Sequence, residues 1–142
     1  MSNEISLSNI RALIIDDNPM DRTVMRKHLE EMGIPYIQEA NNGKDGLFRI
    51  ENSQKVGKPF HLLITDWKMP ERDGLKLLKD LRAAEKSKDM AIIMVTAVFD
   101  IEKVTEAVTA KVDGYVIKPT DYIKLKDRVL KALEKRGQHL AA

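Results

Sequence analysis

Four short segments of the chain are nearly continuous runs of apolar, strand-favouring residues. They cover residues 12–15, 62–64, 91–95 and 115–117. Such runs are typical of strands that are buried on both faces of a parallel sheet. A weaker fifth segment, residues 36–40, alternates between apolar and polar side chains, which favours a strand at the edge of the sheet.

Amphipathic patterns between these segments predict helices. Asn18 suits the N-cap of the first helix, and Pro19 suits its first helical position. Residues 52–59, which end in a proline, are predicted to form a loop ahead of the third strand. The apolar residues that define the predicted faces are Met20, Val24, Leu29 and Met32 in the first helix, Leu77, Leu78, Leu81 and Ala84 in the third, and Tyr122, Leu125, Val129 and Leu133 in the last.

The strand–helix alternation, repeated five times, predicts an α/β fold: a doubly wound, five-stranded parallel sheet with helices on both faces. Because crossover connections are right-handed, few topologies remain, and the flavodoxin-like strand order 2-1-3-4-5 is the commonest for five units. The chain has 142 residues, a normal length for one domain. We therefore predict a single domain over residues 1–142.

Composition and charge exclude several function classes. Cysteine is absent, which removes disulfides, thiolate zinc sites and cysteine nucleophiles. The net charge is only +2, and no basic stripe with interleaved aromatic residues favours nucleic-acid binding. No apolar run approaches the roughly 20 residues that span a membrane, and the N-terminus does not have the pattern of a secretion signal. We expect a cytoplasmic protein.

The predicted fourth helix, residues 101–111, is rich in β-branched residues, which lose side-chain entropy in a helix. One interpretation is a helix that packing alone holds in place. The other is a helix of marginal stability that can shift. The β-branched residues are Val104, Thr105, Val108 and Thr109.

Polar side chains stand at the ends of four predicted strands. Asp16 and Asp17 follow the first strand, and Asp66 follows the third. Thr96 ends the fourth, and Lys118 follows the fifth. Ligands of an open parallel sheet bind outside the carboxyl ends of its strands, so we expect these side chains to converge there.

Three carboxylates at one apolar edge repel each other strongly. Lys118 would offset one of these charges, and a divalent cation would offset the other two. Oxygen ligands without histidine or cysteine favour Mg²⁺. Because Mg²⁺ usually takes one or two carboxylates together with a substrate phosphate, one carboxylate remains free to act as a nucleophile.

Asp66 is the candidate nucleophile, because it stands alone after a buried strand and precedes a loop that Pro70 restricts. Carboxylates form acyl phosphates when the incoming phosphoryl group is positioned and its charge is neutralised. Lys118 and Mg²⁺ would stabilise the phosphoryl oxygens, and Thr96 could donate a hydrogen bond to one of them. A shift of Thr96 toward that group would open space that Tyr115 is placed to fill.

Four motifs carry a family resemblance. In their order and spacing, the chain resembles the receiver domain of bacterial response regulators over about residues 11–135. The resemblance is to the stand-alone chemotaxis type (CheY-like) in particular. The motifs are Leu13-Ile14-Ile15-Asp16-Asp17, Asp66-Trp67-Lys68-Met69-Pro70 with Asp73-Gly74 after it, Val95-Thr96-Ala97, and Gly114-Tyr115-Val116-Ile117-Lys118-Pro119.

The resemblance implies a phosphorylation switch in two-component signalling and not a conventional enzyme. Such a switch catalyses only its own phosphotransfer and its own slow dephosphorylation. Asp66 would be the phosphoacceptor. Asp16, Asp17, Asp66 and the backbone carbonyl of Lys68 would bind Mg²⁺.

The resemblance also assigns the remaining site residues and the partners. Thr96 and Tyr115 would form a switch pair, Lys118 would contact the phosphoryl group, and the bond between Lys118 and Pro119 would be cis. The phosphodonor would be a sensor histidine kinase, and a phosphatase would be an optional further partner.

A downstream protein target would bind the surface of the fourth helix, fifth strand and fifth helix. An apolar patch there, beside the switch pair, would suit a partner helix or peptide. The alternative is that Phe99 and Ile101 only cap the core. The candidate output residues are Phe99, Ile101, Val104, Val108, Tyr115 and Arg128.

Two residues depart from the commonest pattern of the family. Lys68 stands where a small amide side chain is frequent, and Val98 stands where an acid is frequent. Both flank the path of the water that would hydrolyse the acyl phosphate. We expect Lys68 to pair with the phosphoryl group or crowd that path, and Val98 to hold no water. The phosphoryl lifetime should therefore be longer than in a Lys68→Asn, Val98→Glu variant.

Three other functions remain as alternatives. A phosphohydrolase of the haloacid dehalogenase type would need a second acid two residues after its nucleophile, where this chain has Lys68 after Asp66 and Asn18 after Asp16. An unphosphorylated scaffold would predict a damaged pocket, yet all five polar residues are present. A phosphate sink that drains a shared kinase would predict phosphotransfer without a gain in partner affinity.

Overall fold

The computed structural model describes residues 7–69 and 73–137. Pro70, which is predicted to restrict the loop after Asp66, lies outside the described residues. The strands are β1 (Arg11–Ile15), β2 (Tyr36–Ala40), β3 (Leu62–Thr65), β4 (Ala91–Thr96) and β5 (Gly114–Ile117). The helices are α1 (Pro19–Met32), α2 (Gly43–Lys55), α3 (Gly74–Ala83), α4 (Ile101–Thr109) and α5 (Tyr122–Lys135).

The five strands are parallel and form one sheet in the order β2-β1-β3-β4-β5. This confirms the predicted α/β fold, its flavodoxin-like strand order, and the position of β2 at an edge. β5 occupies the other edge, and for this reason Val116 is buried while Tyr115 and Ile117 are only half-buried. The prediction that this strand is covered on both faces was therefore wrong.

Alternate residues of the strands point to opposite faces of the sheet and build two cores. One core joins the sheet to α1 and α5 and includes Ile14, Ile64, Ile93, Leu29 and Val129. The other joins it to α2, α3 and α4 and includes Leu13, Leu63, Ile92, Ile50, Leu77 and Ala107. Because the strands are all parallel, their carboxyl ends lie along one edge of the sheet.

Helix α1 begins as predicted but buries a different face. The Asn18 side chain accepts hydrogen bonds from the N–H groups of Met20 and Asp21, which makes it the N-cap. The buried residues of α1 are Met25, Leu29 and Met32, whereas Met20 is 77% exposed and Val24 is 42% exposed. Val24 precedes this stripe by one residue and is rotated from it by about 100°.

The predicted loop over residues 52–59 was wrong at its start, because α2 continues to Lys55. Ser53 is buried, and its hydroxyl donates to the Ile50 carbonyl at 2.6 Å. Asn52 and Lys55 are exposed and extend the solvent-facing side of the helix. Gly57, with a φ of +75°, lies in the left-handed region that favours glycine.

Candidate functional site

The carboxyl ends of β1 and β3 bring three aspartates together. Each of Asp16, Asp17 and Asp66 offers a carboxylate oxygen that lies within 4.8 Å of the others. The Asp66 N–H donates to the Ile15 carbonyl at 3.0 Å, so the pairing of β3 with β1 fixes the position of Asp66. Asp16 and Asp66 are buried, and Asp17 is exposed. We call these three residues the carboxylate cluster.

Lys118 reaches the cluster from the end of β5. Its Nζ lies 2.7 Å from Asp16 Oδ2 and 2.8 Å from Asp66 Oδ2. Its backbone N–H donates to the Thr96 carbonyl at 2.9 Å, and the following bond to Pro119 is cis, as expected. Burial alone would lower the pKa of Lys118, but its carboxylate partners outweigh burial and raise that pKa. Lys118 is therefore a cation at neutral pH.

A fourth carboxylate near the site was not predicted from the sequence. Asp21, in the first turn of α1, places Oδ2 2.8 Å from Lys118 Nζ. A signal for it was available, because an acid in the first turn of a helix that begins directly after a site-bearing strand lies near the same sheet edge. The Lys118 ammonium thus contacts three carboxylates, those of Asp16, Asp21 and Asp66, and with Asp17 the site holds one more negative charge than the sequence predicted.

Asp16 provides the test of whether a cation fits. Its Oδ1 accepts a hydrogen bond from the Asn18 N–H at 2.9 Å. Its Oδ2 is buried and, despite the short distance to Lys118 Nζ, accepts no hydrogen bond of good geometry from the described residues. Burial raises the pKa of Asp16 against the lowering effects of Lys118 and Asn18. An incompletely satisfied carboxylate oxygen among three carboxylates fits a hard divalent cation such as Mg²⁺.

The Asp66 carboxylate is held at both oxygens. Oδ1 accepts a hydrogen bond from the Trp67 N–H at 2.6 Å, and Oδ2 accepts one from Lys118 at 2.8 Å. Gly74 packs against this segment, and its N–H donates to the Trp67 carbonyl at 2.7 Å. A Cβ at Gly74 would collide with the Asp66 carbonyl oxygen. This close approach explains the glycine of the Asp73-Gly74 motif.

Thr96 and Tyr115 are joined through the backbone of one residue. The Val98 N–H donates to Thr96 Oγ1 at 3.2 Å, and the Tyr115 hydroxyl donates to the Val98 carbonyl at 2.8 Å. Burial raises the pKa of Tyr115, and the charges of Asp66 and Asp100 raise it further. Tyr115 is therefore a neutral hydrogen-bond donor at physiological pH. The Val98 side chain is half-buried against the core.

Lys68 is exposed and lines an open cleft together with Asp17, Met69 and Asp73. This position at the mouth of the site is compatible with the predicted influence of its side chain on the phosphoryl group. The metal-ligand role of its carbonyl stays a prediction.

The predicted output residues include a strongly exposed apolar group. Phe99 is 79% exposed, Ile101 is 83% exposed and Val108 is 60% exposed, so the alternative that Phe99 and Ile101 cap the core was wrong. Val104 and Arg128 are half-buried. Ala107 is the buried residue of α4, which leaves this helix with little apolar anchorage.

The fold and the acidic site together define a class of signalling domain. The chain matches the family model of the response regulator receiver domain over residues 12–130, and it belongs to that family. Receiver domains act in two-component signalling and bind Mg²⁺ at an acidic pocket, which here corresponds to the carboxylate cluster.

The particular relatives are chemotaxis proteins. The chain is 34% identical over 127 residues to the chemotaxis protein CheY-3 of Vibrio cholerae, which covers 89% of this chain and 94% of that protein. It is 33% identical over 126 residues to the chemotaxis protein CheY of Pseudomonas aeruginosa, which covers 89% of this chain and 98% of that protein. These matches confirm the CheY-like resemblance.

Solved structures agree with the fold. A CheY-like receiver domain protein from Methanospirillum hungatei is 27% identical with a TM-score of 0.78, and the match covers 91% of this chain and 97% of that one. The CheY of Borrelia burgdorferi, crystallised with CheX, BeF₃ and Mg²⁺, is 22% identical with a TM-score of 0.78 over 87% of this chain and 89% of that one; at that identity it shows the fold alone. Among the described residues, no helix is both long and apolar enough to cross a membrane.

Proposed function

We propose that this protein is a single-domain response regulator that accepts a phosphoryl group on Asp66 from a sensor histidine kinase and thereby changes its affinity for a protein target. The observation that carries the proposal is the geometry of Asp66, which is buried in the carboxylate cluster with Lys118 at 2.8 Å. The chemotaxis relatives make a chemotaxis pathway the proposed setting.

The chemistry is an in-line phosphoryl transfer. An Asp66 carboxylate oxygen forms the new bond to phosphorus while the bond from phosphorus to the donor histidine nitrogen breaks, and the imidazole keeps that electron pair. Lys118 turns an ammonium N–H toward the transferred oxygens and stabilises their charge. The Trp67 N–H holds Asp66 in position throughout.

Asp16, Asp17, Asp66 and the Lys68 carbonyl would hold Mg²⁺. When bound, this ion neutralises charge on the equatorial phosphoryl oxygens. Asp16 Oδ2 is buried and accepts no hydrogen bond of good geometry from the described residues, so a metal ion there would compete mainly with the ion pair to Lys118. The exposed Asp17 gives the site an open side toward solvent.

Switching would begin at Thr96. If its hydroxyl turns toward the phosphoryl group, the hydrogen bond from the Val98 N–H is lost, and the contact between Tyr115 and the Val98 carbonyl is disturbed with it. Tyr115 can then adopt another position beside the exposed apolar residues of α4. That patch is the proposed docking surface for a downstream target.

The direct test is incubation with a small acyl-phosphate donor, followed by intact-protein mass spectrometry. With Mg²⁺ present, we expect the wild-type protein to gain the mass of one phosphoryl group. With the metal removed by a chelator, we expect no gain above background, because the clustered carboxylates then repel the donor's anion. Equal phosphorylation with and without Mg²⁺ would contradict the proposed site.

The lifetime of the acyl phosphate tests the roles of Lys68 and Val98. We expect the double variant Lys68→Asn, Val98→Glu to lose its phosphoryl group about tenfold faster than wild type, because an amide and a carboxylate can position the attacking water. Lifetimes are measured after the donor is removed. The control is Lys79→Asn, Val108→Glu, which makes the same chemical changes at exposed positions. If the two double variants decay alike, the tuning role is wrong.

A further inference from the structure

Asp21 has no role in the family-based assignment, yet it contacts the central ammonium of the site. Its Oδ2 lies 2.8 Å from Lys118 Nζ, and its side chain is 37% exposed. It does not belong to the carboxylate cluster, whose three members are Asp16, Asp17 and Asp66. Lys118 is therefore shared between the cluster and a carboxylate outside it.

This sharing matters because a metal ion at the cluster would compete with Lys118. Lys118 Nζ approaches Asp16 Oδ2 and Asp66 Oδ2 within 2.8 Å, and both carboxylates are candidate metal ligands. A dication and an ammonium a few ångströms apart repel each other strongly in a partly buried site. Asp21 is the partner of Lys118 that the metal leaves available.

We propose that Asp21 is a positioning residue that retains Lys118 at the edge of the site and offsets its charge, so that Mg²⁺ binds the carboxylate cluster while Lys118 stays within reach of the phosphoryl group. The inference rests on the proposed function, since it assigns the cluster to Mg²⁺ and Lys118 to the phosphoryl oxygens. It adds a residue that acts on both through one ion pair.

The rival explanation is that Asp21 only stabilises α1, since acids in the first turn of a helix favour the helix dipole. Asp45 provides the matched control. It lies in the first turn of α2 and pairs with Arg49 at 3.1 Å. It is also 37% exposed at its side chain. A purely helical role would make the two residues equivalent.

The experiment is a titration with MgCl₂ that is monitored through the fluorescence of Trp67. This tryptophan is 5% exposed and directly follows Asp66, so it reports on the cluster. We expect Asp21→Asn to raise the dissociation constant for Mg²⁺ by about three- to tenfold, the order that one charge a few ångströms away produces when water screens most of its field. Asp45→Asn should leave it unchanged. Equal values for wild type and Asp21→Asn would overturn the inference.

A double-mutant cycle tests whether Asp21 acts through Lys118. In the Lys118→Met background, the effect of Asp21→Asn on the dissociation constant should shrink to less than half of its size in wild type on a logarithmic scale. An undiminished effect would show that Asp21 acts on the metal independently of Lys118 and would overturn the positioning role.

Two further measurements keep the test decisive. Asp21→Glu retains the charge and should restore most of the Mg²⁺ affinity, and Asp21→Asn should keep the circular dichroism spectrum of wild type, which excludes misfolding of α1 as the cause. If wild type itself shows no Mg²⁺ binding, the proposed function fails. If wild type binds Mg²⁺ and Asp21→Asn binds equally well, only the inference about Asp21 fails.

Discussion

Replacing Asp66 with asparagine should abolish phosphorylation of the protein by small donors and by a histidine kinase. The amide has no anionic oxygen to attack phosphorus, so the reaction loses its nucleophile. Intact-protein mass spectrometry after incubation with donor and Mg²⁺ should show the unmodified mass for Asp66→Asn and the added phosphoryl group for wild type.

The loss should not reflect unfolding. An asparagine at this position keeps an oxygen that can accept the Trp67 N–H, as Asp66 Oδ1 does at 2.6 Å. It also removes one of several clustered negative charges, and like-charge repulsion at the cluster falls. In the absence of metal, we therefore expect Asp66→Asn to be at least as stable as wild type in urea unfolding.

Asp73→Asn is the matched control for this experiment. Asp73 is exposed and is the N-cap of α3, where its side chain accepts the Lys76 N–H at 2.8 Å. Asparagine is an equally good N-cap, so this variant should be phosphorylated like wild type. Phosphorylation of Asp66→Asn at the wild-type rate would place the acceptor on another residue.

The sequence was sufficient for the part of the site that lies directly on the sheet. Buried strands produce apolar runs, and the residue that ends such a run is visible in one dimension. Asp16, Asp66, Thr96 and Lys118 were predicted in this way, and the structure places each at the carboxyl edge of the sheet. The convergence of these ends follows from the parallel order alone.

Features that depend on helix rotation were harder to predict. Val24 differs by one position from the buried stripe of α1, because a helix can be turned by one residue with little change in its apolar pattern. Asp21 was missed for a related reason, since its contact with Lys118 depends on how the first turn of α1 is oriented relative to the end of β5. Neither orientation has a periodic signal, and tertiary packing decides both.

A second group of charged residues lies near the amino ends of β4 and β5, and the sequence did not reveal it. Asp113 has a fully buried side chain, lies 2.8 Å from Arg82 Nη2 and 2.8 Å from Arg136 Nε, and also accepts the Ile92 N–H at 2.9 Å. Arg82 is itself 7% exposed at its side chain. The partners are 31 and 23 residues distant in the chain, so no local pattern marks them.

Replacing Asp113 with alanine should lower the free energy of unfolding by about 3–5 kcal/mol, because removing one partner of a buried ion pair leaves the other charge buried and uncompensated. Here the variant would leave the Arg82 guanidinium without its carboxylate partner and the Ile92 N–H without its acceptor. The guanidinium would keep only its hydrogen bonds to the backbone carbonyls of Lys88, Met90 and Lys111. The measurement is urea unfolding, monitored by circular dichroism and analysed as a two-state transition.

Asp127→Ala is the control, because Asp127 forms ion pairs with Arg128 at 2.6 Å and Lys131 at 3.3 Å on the surface of α5. Exposed pairs of this kind contribute little to stability, because water screens the two charges. The two substitutions remove the same side chain, and both aspartates form ion pairs with basic side chains. Burial is therefore the main difference between the two sites. If Asp113→Ala and Asp127→Ala lower the stability equally, the Asp113 group does not act as a buried connection between α3, α5 and the sheet.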